Sequence, residues 1–283
     1  MVSFLRTCFA VLMLFSASFV AVSAQAVPPS NGEKPTATPK PTPSPKPTAT
    51  PKGQSANFTA EQIVESTIVV YAYPGGRPVL DQIRKTTFER GKTSFVNGDG
   101  KTETANYQKW IIRGPSLGKE KLRLDQEMSN KVSYSLVQNN EKVVLMVNDS
   151  VYAPREDASR TFQNQIFRGL DGFLRYKENE STLALAGKEK ILGVEYYLID
   201  ITDKQARKTR YYVSVKRFRV MMLEYEEGGR KFKRKFYNYN YAQGTLVPFR
   251  TVLYDGDKVI EDTEIGTITF GQKVDEALFP PES

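Results

Sequence analysis

The chain has 283 residues, with 40 Lys and Arg against 32 Asp and Glu, a formal net charge of +8, no histidine and a single cysteine. That composition excludes Ser/His and Cys/His nucleophilic pairs, imidazole-based metal sites and the usual general base near neutral pH. Any metal would have to be held by oxygen ligands alone.

Residues 1–26 read as a secretory signal. Arg6 supplies the basic start, an apolar run extends from Phe9 to Val22, and Val22-Ser23-Ala24 or Ala24-Gln25-Ala26 offers small residues for cleavage. The run is short for a membrane-spanning helix. Cys8 lies inside this signal, and Arg6-Thr7 before it do not make a lipoprotein-type cleavage site. The secreted chain is therefore expected to have no thiol and no disulfide. Residues 27–56 form a Pro/Thr/Lys-rich linker in which lysines recur at 34, 40, 46 and 52. Such a segment cannot bury apolar surface, and its proline-rich part, Val27–Lys52, predicts a disordered, extended tether of about 75–80 Å. The signal holds one of the eight excess charges and the linker three, leaving +4 for residues 57–283. That is too little, and too mixed with acids, to point to nucleic acid.

The folded domain is expected from residue 57 to residue 283. Thr59 is placed to cap a helix with Glu61 and Gln62 in its first turn, and Ile63, Val64, Thr67, Ile68 and Tyr71 recur at helical spacing. Pro74-Gly75-Gly76 stops it, and Val79–Lys85 reads as a second short helix. Five strands are then predicted: Thr86–Phe95, Glu103–Arg113, Glu120–Glu127, Lys131–Asn139 and Lys142–Asn148, separated by turn residues such as Asn97-Gly98-Asp99-Gly100 and Gly114-Pro115. The Lys142–Asn148 strand is apolar on both faces, which predicts a central position. Trp110-Ile111-Ile112 likewise suggests cover on both sides.

Ala153–Tyr176 breaks the pattern, and within it Thr161–Tyr176 has helical spacing. Phe162, Ile166, Phe167, Leu170, Phe173 and Leu174 form one helical stripe despite Gly169 and Gly172, as a helix packed over the sheet or a lid across a cavity would. Strands resume at Thr182–Lys190, Val194–Thr202 and Arg207–Lys216. A final meander follows, cut by Glu227-Gly228-Gly229, Gln243-Gly244 and Asp255-Gly256-Asp257 into Arg219–Glu226, Arg230–Tyr241, Leu246–Tyr254 and Lys258–Phe270. These strands, with the short helical pieces, predict a mainly β fold, a single curled antiparallel sheet covered by short helices.

Catalytic constellations are lacking. Glu156-Asp157, Asp200/Asp203 and Asp255/Asp257 all fall where solvated turns are expected, and no metal or cofactor is implied. The strand Lys231-Phe232-Lys233-Arg234-Lys235-Phe236 puts Lys231, Lys233 and Lys235 on one face, a candidate contact for an anionic surface.

Phe236-Tyr237-Asn238-Tyr239, then Gly244 and Pro248-Phe249, and the close Val274-Asp275 with Leu278-Phe279 resemble the LolA/LolB-like outer-membrane lipoprotein-sorting family. Gly187–Asp200 and Tyr211-Tyr212 sit where that family has its middle strands. The resemblance implies an incomplete β-barrel whose concave face is closed by helices over an apolar cavity for acyl chains. It further implies a monomeric carrier in the periplasm or cell envelope, not an enzyme, that hands lipoproteins or other lipids to membrane-bound transfer partners. Candidate cavity residues are Trp110, Ile112, Leu122, Leu124, Phe162, Ile166, Phe167, Leu170, Met221, Leu223, Tyr225 and Phe236. The Pro-rich linker departs from a freely diffusing carrier, so general lipid or glycolipid binding stands beside lipoprotein transfer; the alternative is a tethered module that binds a protein or a cell-wall polymer through its surface.

Overall fold

A computed structural model describes residues 58–279 apart from 98, 129–132 and 149. The expected signal and linker, with Cys8 and the four spacer lysines, lie outside the described residues.

The chain enters through helix α1, Ala60–Tyr71. The Thr59 hydroxyl accepts from the Gln62 backbone N–H, and the Gln62 side chain accepts from the Thr59 N–H, a complete capping box. Ile63, Val64, Thr67, Ile68 and Tyr71 are its buried positions, so burial of this face outweighs the β-branched run that disfavours a helix. Helix α2, Gly76–Ile83, follows.

Thirteen strands then form one antiparallel sheet: β1 Thr86–Val96, β2 Thr102–Ile112, β3 Lys121–Met128, β4 Ser133–Asn139, β5 Lys142–Val147, β6 Ser150–Tyr152, β7 Thr182–Ile191, β8 Val194–Thr202, β9 Lys208–Ser214, β10 Val220–Glu227, β11 Arg230–Ala242, β12 Thr245–Asp255 and β13 Lys258–Phe270. The spatial order is β6-β5-β4-β3-β2-β1-β13-β12-β11-β10-β9-β8-β7. Two hairpin meanders are thus joined where the first strand pairs with the last. The sheet does not close, because β6 and β7 are its two edges.

Residues 153–181 connect these opposite edges and carry helices α3, Glu156–Phe167, and α4, Leu170–Leu174. The single stripe expected over Thr161–Tyr176 is therefore two helices. Gly169 leaves helical backbone at φ −97°, ψ −171°, and a Cβ there would lie 2.6 Å from the Gln165 carbonyl oxygen. A Cβ on Gly172 would lie 2.3 Å from the Phe167 oxygen. The two glycines permit the tight corner that splits the stripe between two cores.

In the first core α1, α2 and α4 cover β7–β12: Ile63, Ile68, Tyr71, Phe173, Ile199, Tyr211 and Leu223 pack together, each essentially without exposure. In the second, Phe162 and Ile166 of α3 pack on Ile111, Leu117 and Leu122, with Leu124, Leu136, Val143 and Phe167 around them. The Lys142–Val147 strand corrects one expectation, since β5 is the penultimate strand and not a central one. Its inward face, including Val143, meets the α3 core. On its other face Val144 neighbours the fully buried Val137. Near Val137 the C-terminal tail is tied down, with Arg123 donating to the Leu278 carbonyl and Phe279 buried.

Ile68→Ala is expected to lower unfolding stability by about 2–5 kcal/mol, and Thr59→Ala by about 1 kcal/mol. Urea denaturation measures both, and equal losses would contradict this division between core and cap.

Candidate functional site

The α3 core is the more open of the two. Leu124, Leu136 and Val143 are only half-buried beneath the helix. The helix is held at its flanks by polar groups: Asn164 donates to the Glu227 carboxylate at 2.6 Å, Gln165 to Glu261 at 3.1 Å, and Arg168 to the Glu226 carbonyl at 3.1 Å. Arg207 lies over the Phe167 ring, 3.7 Å from its centroid. Beside the helix is a cleft of about 600 Å³ whose lining includes Val143, Arg160, Gln163, Arg168, Arg207 and Glu227.

The candidate cavity residues do not form one group. Leu122, Leu124, Phe162, Ile166 and Phe167 come together in the α3 core. Leu170, Leu223, Tyr225 and Phe236 belong to the α1/α2/α4 core. Met221 is half-buried beside the register shift between Val220 and Met222. Trp110 and Ile112 point to the opposite face of the sheet, where Trp110 packs against Phe88 with ring centroids 5.4 Å apart. Strand alternation gives their expected place to Ile111.

Lys231, Lys233 and Lys235 also stand on the face away from the helices, on a strand paired on both sides. Lys231 lies 3.5 Å from Glu226 and Lys233 3.0 Å from Glu224, while Lys235 sits over the Tyr254 ring. The acids of β10 offset the first two lysines. On the helical side, Arg234 instead pairs with Glu261 at 3.2 Å.

Between the two apolar cores lies a buried ionic cluster that the sequence did not announce. Arg84 at the end of α2 reaches Asp171 of α4 at 3.3 Å and donates to the Leu246 carbonyl of β12. Arg113, just after β2, reaches the same Asp171 oxygen at 3.1 Å. Arg175 bonds Glu120 and donates to the Gly114 carbonyl at 2.7 Å. A second polar group shares the helical face of β1 and β2, where Tyr107 and Lys109 both bond Glu89 at 2.8 Å.

Burial opposes ionisation of Asp171, yet Arg113 and Arg84 hold its carboxyl well below the usual carboxylate range. Burial pushes Glu120 up to about 7 against the pull of Arg113 and Arg175. Among the described residues no group of three or more His, Cys, Asp or Glu is arranged to hold a metal ion, and no helix is long and apolar enough to cross a membrane.

Neither a protein-family model nor a curated protein matches the chain. Solved structures do. A DUF1329 family protein from Desulfovibrio piger aligns over 79% of this chain and 98% of its own, with 14% identity and a TM-score of 0.56. A LolA superfamily protein from Nitrosomonas europaea aligns over 79% and 98%, with 16% identity and a TM-score of 0.55. A domain named for outer membrane lipoprotein sorting, from Vibrio parahaemolyticus, aligns over 77% and 94%, with 10% identity and a TM-score of 0.52. The fold is LolA-like, a curled and open antiparallel sheet with short helices.

Asp171→Asn leaves Arg84 and Arg113 short of a carboxylate that is itself half-buried, and is expected to cost about 1–3 kcal/mol. Glu120 contributes stability that is full below its unfolded pKa of 4.5 and is lost as pH rises toward about 7. Asp171 acts in the opposite sense, its contribution being lost as pH falls below 3.8. Glu120→Gln should therefore flatten the melting temperature between about pH 4.5 and 7 while leaving the acid limb. An unchanged slope would remove Glu120 as its source.

Proposed function

We propose that this protein is a non-enzymatic lipid carrier of the periplasm or cell envelope, taking acyl chains of lipoproteins or other lipids between α3 and the β2–β5 half of the sheet. The observation that carries this reading is the half-buried apolar floor of Leu124, Leu136 and Val143 under a helix anchored by polar contacts. A corner built on Gly169 gives that helix a place to pivot.

The energetics favour exchange of helix for ligand. Each buried methylene contributes about 0.8 kcal/mol, so about fourteen of them contribute roughly 11 kcal/mol. The polar anchors of α3 each involve a charged group and are worth about 1.5–3 kcal/mol apiece, so a chain of that length outweighs all three. An acyl chain can therefore displace Phe162 and Ile166 from the floor without unfolding the first core. Leu170, Leu223, Tyr225 and Phe236 serve as packing in this reading. The names of the solved neighbours, one in the LolA superfamily and one for lipoprotein sorting, support it. A signal at residues 1–26 and a tether at 27–56 would deliver and hold the domain in the envelope.

Native mass spectrometry of the protein purified from a bacterial periplasm, with organic extraction, is expected to find co-purifying lipid or acylated peptide. Leu124→Gln should reduce retention of a sixteen-carbon acyl probe at least about tenfold, equivalent to about 1.4 kcal/mol, with little change in melting temperature. An apo protein that also ignores the probe would refute the carrier and leave the tethered surface-binding module in its place.

A further inference from the structure

We infer that the face of the sheet turned away from the helices, across β13, β1, β2, β3 and β4, is a second binding site, for an extended, uncharged oligosaccharide. This inference is independent of the acyl-binding reading, which concerns the other face.

The site begins with a backbone irregularity. The register of β1 against β13 shifts between Arg90 and Gly91, which leaves Gly266 as the extra residue. A Cβ on Gly91 would lie 2.0 Å from the Glu264 carbonyl oxygen, so only glycine allows the two strands to approach here. A bulge of this kind bends and twists its strand. The bent strands form a trough of about 770 Å³ on this face.

Register arranges the trough's side chains in rows across the strands. Directly opposed neighbours run Glu264, Lys92, Asn106, Glu127, Ser133. Two residues along, Arg90, Gln108, Asp125 and Ser135 make a parallel row. Five strands at the usual spacing span about 19 Å, enough for several linked sugar rings lying across them. Asn106 and Gln108, at the centre, are exposed, and no described residue bonds their amides. Each offers two donors and an acceptor, the pattern that hydroxyl and acetamido groups complement.

Charge and topology select against other ligands. Arg90, Lys92 and Arg123 balance Asp125, Glu127 and Glu264, and Arg123 is already bonded to Asp125 at 2.7 Å, so the trough attracts neither a polyanion nor a polycation. All five strands are paired on both sides, so no edge is free to take a peptide as an added strand. One row beyond Gln108, on the same face, Phe88 and Trp110 form a half-buried aromatic pair. It offers a flat apolar surface to the C–H face of a sugar ring.

Trp110 is the only tryptophan in the chain, and its emission reports on this face directly. Titration of the full-length protein with the tetramer of N-acetylglucosamine is expected to give a saturable shift in that emission. Asn106→Ala and Gln108→Ala, both exposed and far from either core, should each weaken binding about tenfold. Neither should change the melting temperature or retention of the acyl probe. Trp110→Phe should silence the emission while calorimetry still detects binding. No shift and no heat at about 10 mM tetramer, undiminished affinity in both amide variants, or response only to a polyanion or a peptide would each overturn the inference.

Discussion

The Asp171 carboxylate, gripped by Arg84 and Arg113, is the contact on which the rest of the architecture depends. It ties the end of α2 and the end of β2 to α4, and Arg84 extends the tie to β12. Arg175 and Glu120 continue the cluster to the start of β3. Taking such charges out of water costs several kcal/mol each, and only mutual pairing offsets it. The cluster consequently tolerates few arrangements of α4. Because α4 lies within the connection between the two sheet edges, its position also determines where α3 crosses.

This polar seam explains why the helical side of the sheet is not one cavity. On one side of it, α1, α2 and α4 leave Ile63, Val64, Ile68 and Tyr71 without exposure, a finished core. On the other, α3 covers its floor with fewer apolar groups and leaves Leu124, Leu136 and Val143 half-buried. A ligand that gains from apolar burial therefore finds its opportunity under α3, where the displaced cover is cheapest. The two sides of the sheet also divide the charges. Glu89 with Lys109 and Arg234 with Glu261 face the helices, whereas Lys231 and Lys233 meet their acids on the open side.

Much of this was legible in the residues taken in order. Thr59 and Gln62 announce the first helix because capping is a local exchange of hydrogen bonds. Gly228-Gly229, Gln243-Gly244 and Gly256 announce the hairpins because the turns need positive φ, and Gly228, Gly229, Gln243, Gly244 and Gly256 all adopt it. Alternation correctly separates Lys231, Lys233 and Lys235 from Phe232 and Phe236. The β6 strand, only Ser150–Tyr152, carried too little pattern to be read.

Local chemistry, then, determined the kind and approximate limits of nearly every element, together with the mainly β class and the absence of imidazole chemistry. Only the tertiary structure decided which strands are edges, that β1 closes on β13, that Trp110 faces away from the helices, and that the stripe ending at Leu174 divides at Gly169. Those outcomes depend on partners far apart in the chain. An arginine at the end of an element looks solvated in sequence, and Arg84, Arg113 and Arg175 become a buried cluster only when the fold brings Asp171 and Glu120 to meet them.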